Sequence, residues 1–258
     1  MDFETIIFER EESVAILSFN RPDKRNAFNT QMVSEINTAT ELVSNDDSIR
    51  CVILTGKGLG FSAGADLTEE NSNWKSTEES LIKGYMPSLL NIINMPKPVI
   101  SAVNGAAAGI GSAYAMACDL TVMGEGSYLL QAFSNIGLVP DGGANWLLVN
   151  TVGYKLAYQI AIEGEKIPAS RCLELGLTNK VVPDSNLMEE TLNWAKRLTE
   201  RAPQSMRHTK KLMRESLNST YVDTYSSDAK KQNELFGSPD NKEGIKAFLE
   251  KRAPKFNG

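Results

Sequence analysis

"PVISAVNGAAAGIGSAYAMACDLTVMGE", residues 98–125, is the stretch on which the fold turns. "PVISAVNG" is a short apolar run that stops at Gly105, which predicts a buried strand. "AAAGIGSAYAMACDL" follows as a helix of small residues whose start carries Gly109 and Gly111, and "DLTVMGE" returns as a strand. A strand, a crossover helix and a second strand make a parallel unit, so the core is α/β.

The alternation extends on both sides. Residues 5–9 and 13–19 read as strands, and "NRPDKRNAFN" is a loop by its Pro, Asn and Asp content. Thr30 is placed to cap a helix in which Met32, Val33, Ile36, Ala39, Thr40 and Val43 keep helical spacing. "RCVILTG" is a buried strand ending at Gly56, and "KGLGFSAGADL" reads as a Gly-rich loop, with Asp66 as a helix N-cap and Glu69 as its partner. Residues 76–95 are helical in pattern, although Pro87 must bend or interrupt them. From Gly153 onward the signals are helical, with "NKVVP" the one late strand. The expected organisation is an α/β core over residues 1–195 and a helical C-terminal section over 196–258.

Bulk properties narrow the function classes. The 258 residues are 41% apolar and 23% charged, an ordinary globular balance. A net charge of −5 without a basic block disfavours nucleic acid and anionic membrane as partners. No apolar run reaches the roughly 18 residues of a spanning helix. Three separated cysteines (Cys51, Cys118, Cys172) make no disulfide framework, which points to a reducing, cytoplasmic setting. The single histidine, His208, removes a multi-histidine metal site and weakens any Ser-His or Cys-His proposal; it reads as a surface residue.

Two strand-to-helix junctions, "GFSAGADL" and "GAAAGIGS", place glycine where unpaired N–H groups gather at a helix start. Two such groups aimed at one point stabilise an oxyanion. Each junction alone is better explained by plain turn chemistry or by small residues that permit tight helix packing. A nucleotide loop fails on spacing: "GIGSAY" lacks the third glycine of the dinucleotide fingerprint, and no Gly-Lys-Ser/Thr occurs.

Taken in order, "FNRPDKRNAFN", "GFSAGADL", "ISAVNGAAAGIGSAYAMACDL", "GLVPDGGANWLL", "AIEGEKIPASRCLELGLTNKVV" and the closing "EGIKAFLEKRAPKF" resemble the enoyl-CoA hydratase/isomerase (crotonase) family. The resemblance runs from about residue 3 to 256 and implies a spiral of ββα units with a C-terminal helical trimerisation section. It further implies an acyl-CoA thioester substrate, no cofactor beyond that coenzyme A and no metal. The assembly it implies is a homotrimer or dimer of trimers. Carried over by position, it puts the oxyanion donors on the Ala63 and Ile110 amides, with Gly109 and Gly111 allowing close approach of backbone to ligand. Gly64, Ala65, Asp66 and Leu67 would meet the adenine of a bent coenzyme A. Lys24 and Ala27 would begin that surface, and Lys251 would reach a phosphate or simply face solvent.

The departures from the family decide the chemistry. Hydratases of the family activate a water with two glutamates; those positions are Ala113 and Phe133 here. Some double-bond isomerases instead carry an acid in "P-D/E", the place of Asp141 in "GLVPDGGANW". In isolation Pro140-Asp141-Gly142-Gly143 is a surface turn. Within the constellation it is the general base of a Δ3-Δ2-enoyl-CoA isomerase, in an apolar pocket of Phe133, Ile136 and Trp146 that raises its pKa. Trp74 lines the acyl pocket or packs, and Asp119 is structural. The alternatives are an Asp-nucleophile CoA-thioester hydrolase or dehalogenase, a hydratase using Asp141 alone, and a non-catalytic acyl-CoA-binding protein.

Overall fold

The computed structural model describes residues 3–69 and 74–257. β1 (Ile6–Glu11) and β2 (Val14–Phe19) form an antiparallel hairpin. The chain then crosses over through α1 (Thr30–Asn45), and β3 (Cys51–Gly56) pairs in parallel with β2. β4 (Gly60–Ser62) leaves for a second sheet. A helical stretch follows, made of α2 (Thr77–Glu79), a π-helical segment Ser80–Tyr85 and α3 (Met86–Asn94). The wide π turn lies directly before Pro87. A proline ring crowds the carbonyl four residues back and donates no N–H, and an extra residue in the turn absorbs that mismatch.

β5 (Val99–Val103), β6 (Ala106–Ala108) and α4 (Ile110–Ala117) come next, then β7 (Leu120–Gly124), β8 (Tyr128–Leu130) and α5 (Ala144–Val152). The chain continues through α6 (Tyr154–Glu163), β9 (Lys166–Pro168), α7 (Ala169–Glu174), β10 (Lys180–Val182) and α8 (Leu187–Thr199). It closes with α9 (Pro203–Ser216), α10 (Tyr221–Leu235) and α11 (Pro239–Glu250).

The larger sheet has strand order β1-β2-β3-β5-β7-β10 and the smaller β4-β6-β8-β9. Three times a longer strand enters the first sheet and the next short strand enters the second; after β4 and β6 helices lead back to the first sheet, and after β8 the helices α5 and α6 lead to β9 of the second. This is the spiral of ββα units expected from the resemblance. The second sheet was not legible in the sequence. Its β4 lies inside the stretch read as a loop, and Ala106–Ala108 lies inside the stretch read as helix. Three residues are too few to display a period of two, and a run of alanine favours helix locally. Ala106–Ala108 is a strand because it pairs residue for residue with Tyr128–Leu130.

Alternation in the larger sheet divides the core. Val52 and Leu54 face a cluster with Met32, Ile36, Leu89 and Tyr114, while Cys51 and Ile53 face Leu187 and Ala195 of α8. The expected junction at residue 195 falls inside α8, which packs on the sheet. α9 and α10 contribute no fully buried residue. Asp119 is structural, as expected: its carboxylate accepts from Val99 N (2.9 Å) and Lys210 Nζ (2.7 Å), and pairs with Arg214.

Two capping expectations shift. Asn29, not Thr30, is the N-cap of α1, its side chain accepting from Met32 N at 3.0 Å. Glu69 closes no box with Asp66. Its carboxylate accepts the Thr30 N–H at 3.0–3.1 Å and so supports the start of α1.

Candidate active site

β4 delivers Ala63-Gly64-Ala65-Asp66 to the edge where the second sheet meets α4. The Ala63 N–H donates to Arg25 O at 2.9 Å, Gly64 N–H to Ser62 Oγ at 3.1 Å and Asp66 N–H to Phe28 O at 2.8 Å. The oxyanion role expected for the Ala63 amide is therefore corrected: that donor is spent inside the chain. In this turn the Ala65 N–H is the one with no acceptor among the described residues. The preceding carbonyl, Gly64 O, accepts from Phe28 N at 2.8 Å. A trans peptide sets N–H opposite C=O, so Ala65 N–H faces away from that loop.

β6 delivers the second turn. Gly109 N–H donates to Leu130 O at 2.9 Å, and Ile110 opens α4 with its N–H unused by the helix. Gly109 has φ 53° and ψ −130°, a conformation that side chains with a Cβ do not tolerate. The two turns touch: a Cβ on Gly64 would lie 3.0 Å from Ala108 O and 3.7 Å from Gly109 Cα. Parallel pairing of β4 with β6 thus joins the Ala65 and Ile110 amides at one corner.

Asp141 lies at the foot of α5. The turn is locked onto α4, since a Cβ on Gly142 would fall 2.3 Å from Ile110 Cδ1, 2.8 Å from Ala113 Cβ and 3.5 Å from Leu89 Cδ1. Asp141 Oδ1 is buried and has no hydrogen-bond partner among the described residues. Burial alone pushes its carboxyl up to about 6. Its charge acts in turn on Tyr85, whose phenol is raised by burial first and then by Asp141, Glu69 and Asp66. The nearby acids are occupied. Asp66 pairs with Arg21 Nη1 at 2.9 Å and accepts from Thr68, and Glu69 is held by Thr30. Hydrogen bonds from Thr68 and Arg21 keep the Asp66 carboxyl below its ordinary value.

The apolar wall differs in membership from the expectation. Phe133 is buried, with Cζ 3.9 Å from where a Gly109 Cβ would be. Ile136 is more than half exposed, and Trp146 turns instead to a groove of about 590 Å³ between α5 and α9 with Asp119 and Lys210. Leu89 and Tyr85 take their place. Sequence reasoning missed both because they lie in a helix read only as a core element, yet their i, i+4 spacing puts them on one face. Trp74 packs over Gly84, 3.0 Å from where its Cβ would be, next to Tyr85.

The remaining candidates scatter. Lys24 is exposed in a short turn, and Ala27 is buried with its carbonyl accepting from Arg21 Nη1 at 2.6 Å. Leu67 is 74% exposed beside the Ala65 turn, and Gly111 abuts Ser62. Lys251 ends α11 and makes no contact with these turns within the described residues. His208 is not a plain surface residue: it is half-buried on a cavity of about 810 Å³ between α9, α10 and α11, its Nδ1 unpartnered. Among the described residues no three His, Cys, Asp or Glu side chains are grouped to hold a metal ion.

Two turns of the second sheet thus meet at the start of α4 with one backbone donor each, and the turn that carries the desolvated Asp141 packs against the same helix. The sequence model of the enoyl-CoA hydratase/isomerase family matches residues 9–258, and the chain belongs to that family. It is 35% identical to a probable enoyl-CoA hydratase of Rhodobacter capsulatus, over the whole of both chains. It is 34% identical to 1,2-epoxyphenylacetyl-CoA isomerase of Escherichia coli, covering 99% of each. A crystal structure of an enoyl-CoA hydratase subunit from Geobacillus kaustophilus superposes with a TM-score of 0.92 at 33% identity, again over the whole of both chains.

The packing of Gly142 against α4 carries a prediction. Ala113→Glu puts an acid where the family's hydratases have one, but the new side chain must displace the Asp141 turn. Expected is a loss of roughly 1–3 kcal/mol in stability, as for overpacked cores, with no hydration gained. Thermal melting and a hydration assay on 2-enoyl-CoA measure both.

Proposed function

We propose that the protein isomerises the double bond of an unsaturated acyl-CoA thioester, of the Δ3-Δ2-enoyl-CoA type. The observation that carries this is the state of Asp141: part-buried, with one oxygen unpartnered and no cation beside it among the described residues, and a carboxyl pushed up to about 6. A base of that kind accepts and returns a proton at working pH.

In the mechanism, Asp141 breaks the C2–H bond of a 3-enoyl thioester. The electron pair moves toward the thioester oxygen, giving a dienolate whose charge the Ala65 and Ile110 N–H groups share. The α4 dipole adds to that field. Asp141 then delivers the proton to C4, and the double bond settles between C2 and C3. Hydration needs a second group to orient water, and Ala113 and Phe133 exchange no proton. Phe133, Leu89 and Tyr85 instead keep the dienolate dry.

Leu67, exposed beside the Ala65 turn, and Lys24, exposed next to Arg25 whose carbonyl takes the Ala63 N–H, supply the surface for the coenzyme. In the C-terminal section Tyr221, Phe248 and Leu249 are more than 70% exposed, apolar surface that suits the trimer contact proposed for this section.

The test is direct. Purified protein is given 3-enoyl-CoA and, separately, 2-enoyl-CoA, with conjugation followed by absorbance and free thiol by a colorimetric reagent. Expected are conjugation of the first, no hydration of the second and no CoA release. Turnover of neither ester, or release of CoA, overturns the proposal.

A further inference from the structure

We infer that Ser112 and Gln131 are positioning residues that aim the Ile110 N–H into the site. This rests on the proposed reading only in taking a thioester oxygen as what the amide meets.

Ser112 Oγ lies 2.6 Å from Gly109 O. Two oxygens that close need a proton between them, so the serine hydroxyl donates to the carbonyl. Having spent its proton, Ser112 Oγ must accept at its other contact, 2.8 Å from Gln131. That fixes the amide with Nε2 toward the serine and leaves Gln131 Oε1 buried with no partner among the described residues. Both side chains are fully buried. An orphaned amide oxygen in the core works against stability, so Gln131 is a poor choice for packing alone. Its donor is what the site uses.

The geometry shows why a donor is needed there. Gly109 O is held twice, by Ser112 Oγ and by Ser112 N at 3.0 Å. In a trans peptide the N–H points opposite the carbonyl. Clamping Gly109 O toward the helix therefore turns Ile110 N–H outward. Without the clamp, a glycine at φ 53° and ψ −130° is free to flip the peptide and present its carbonyl instead. The end of β8 supplies both restraints: Leu130 O takes the Gly109 N–H, and Gln131, the next residue, holds the serine hydroxyl.

The experiment reads the substrate carbonyl itself. A saturated acyl-CoA labelled with carbon-13 at the thioester carbon is bound to wild type, Ser112→Ala, Ser112→Thr and Gln131→Glu, and its C=O stretch is recorded by difference infrared spectroscopy. Wild type is expected to lower the stretch, and Ser112→Ala to lose at least about half of that shift. Its kcat on 3-enoyl-CoA falls roughly 10- to 100-fold with KM nearly unchanged. Ser112→Thr, which keeps the hydroxyl, restores both. Gln131→Glu, near-isosteric but accepting where glutamine donates, behaves like Ser112→Ala and leaves α4 untouched should the serine variant not fold. A shift and kcat that survive in folded Ser112→Ala overturn the relay alone. A wild type that binds the ester without shifting its carbonyl overturns the two-amide reading and the relay together, while a carbonyl shift without isomerisation overturns only the proposed reaction.

Discussion

Asp141→Asn loses 3-enoyl-CoA isomerisation by on the order of 10²–10⁴-fold, the span of a general base, while acyl-CoA binding persists. Asparagine fills the same volume and exchanges no proton at C2 or C4. The pH profile of the unaltered protein gives the complementary result. Asp141 acts as a base only when ionised, so kcat/KM climbs as pH rises through about 6 and then levels off. Stability moves the other way. The folded state raises this carboxyl above its ordinary value, so it binds the proton more tightly than the unfolded chain does. The contribution to folding is present below about 4 and is lost as pH rises through about 6. Asp141→Asn should thus melt higher than the parent at pH 8, by roughly 1–2 kcal/mol after discounting for the water that reaches a part-exposed group. The gap closes near pH 4. Full activity in this variant, or equal melting at both pH values, would remove the assignment.

Ile110→Pro is the second large effect. Ile110 is the first residue of α4, where proline is tolerated and its fixed φ suits the helix. The substitution deletes one N–H and leaves the fold of the turn in place, because Gly109 already has an extended-type ψ compatible with a following proline. Removing one oxyanion donor costs about 10²–10³ in kcat. Part of the Ile110 contact with the Asp141 turn is lost as well, so melting temperature is recorded alongside. A variant that stays folded, binds acyl-CoA and turns over at the parental rate would show that this amide stabilises nothing.

Much of this was legible in the chain before any coordinates. The central strands of the larger sheet, β2, β3, β5 and β7, announce themselves as largely apolar runs, since they are buried on both faces. The glycine junctions and the acid at Asp141 stood out because their residue types are odd for their settings. What stayed hidden is short or non-local. Three-residue strands such as Ala106–Ala108 carry no period of their own. The choice between Ala63 and Ala65 depends on which carbonyl each amide meets, and Arg25 and Phe28 lie more than thirty residues away in sequence. Trp146 follows Asp141 by little more than one turn, yet α5 points it at a different groove. Neighbours in sequence need not share a pocket, and helical phase settles the matter.

The meeting of Gly142 with Ile110, Ala113 and Leu89 fastens the proposed base and one proposed oxyanion donor into a single block. Nothing that reshapes the acyl chamber can slide one past the other without unseating both.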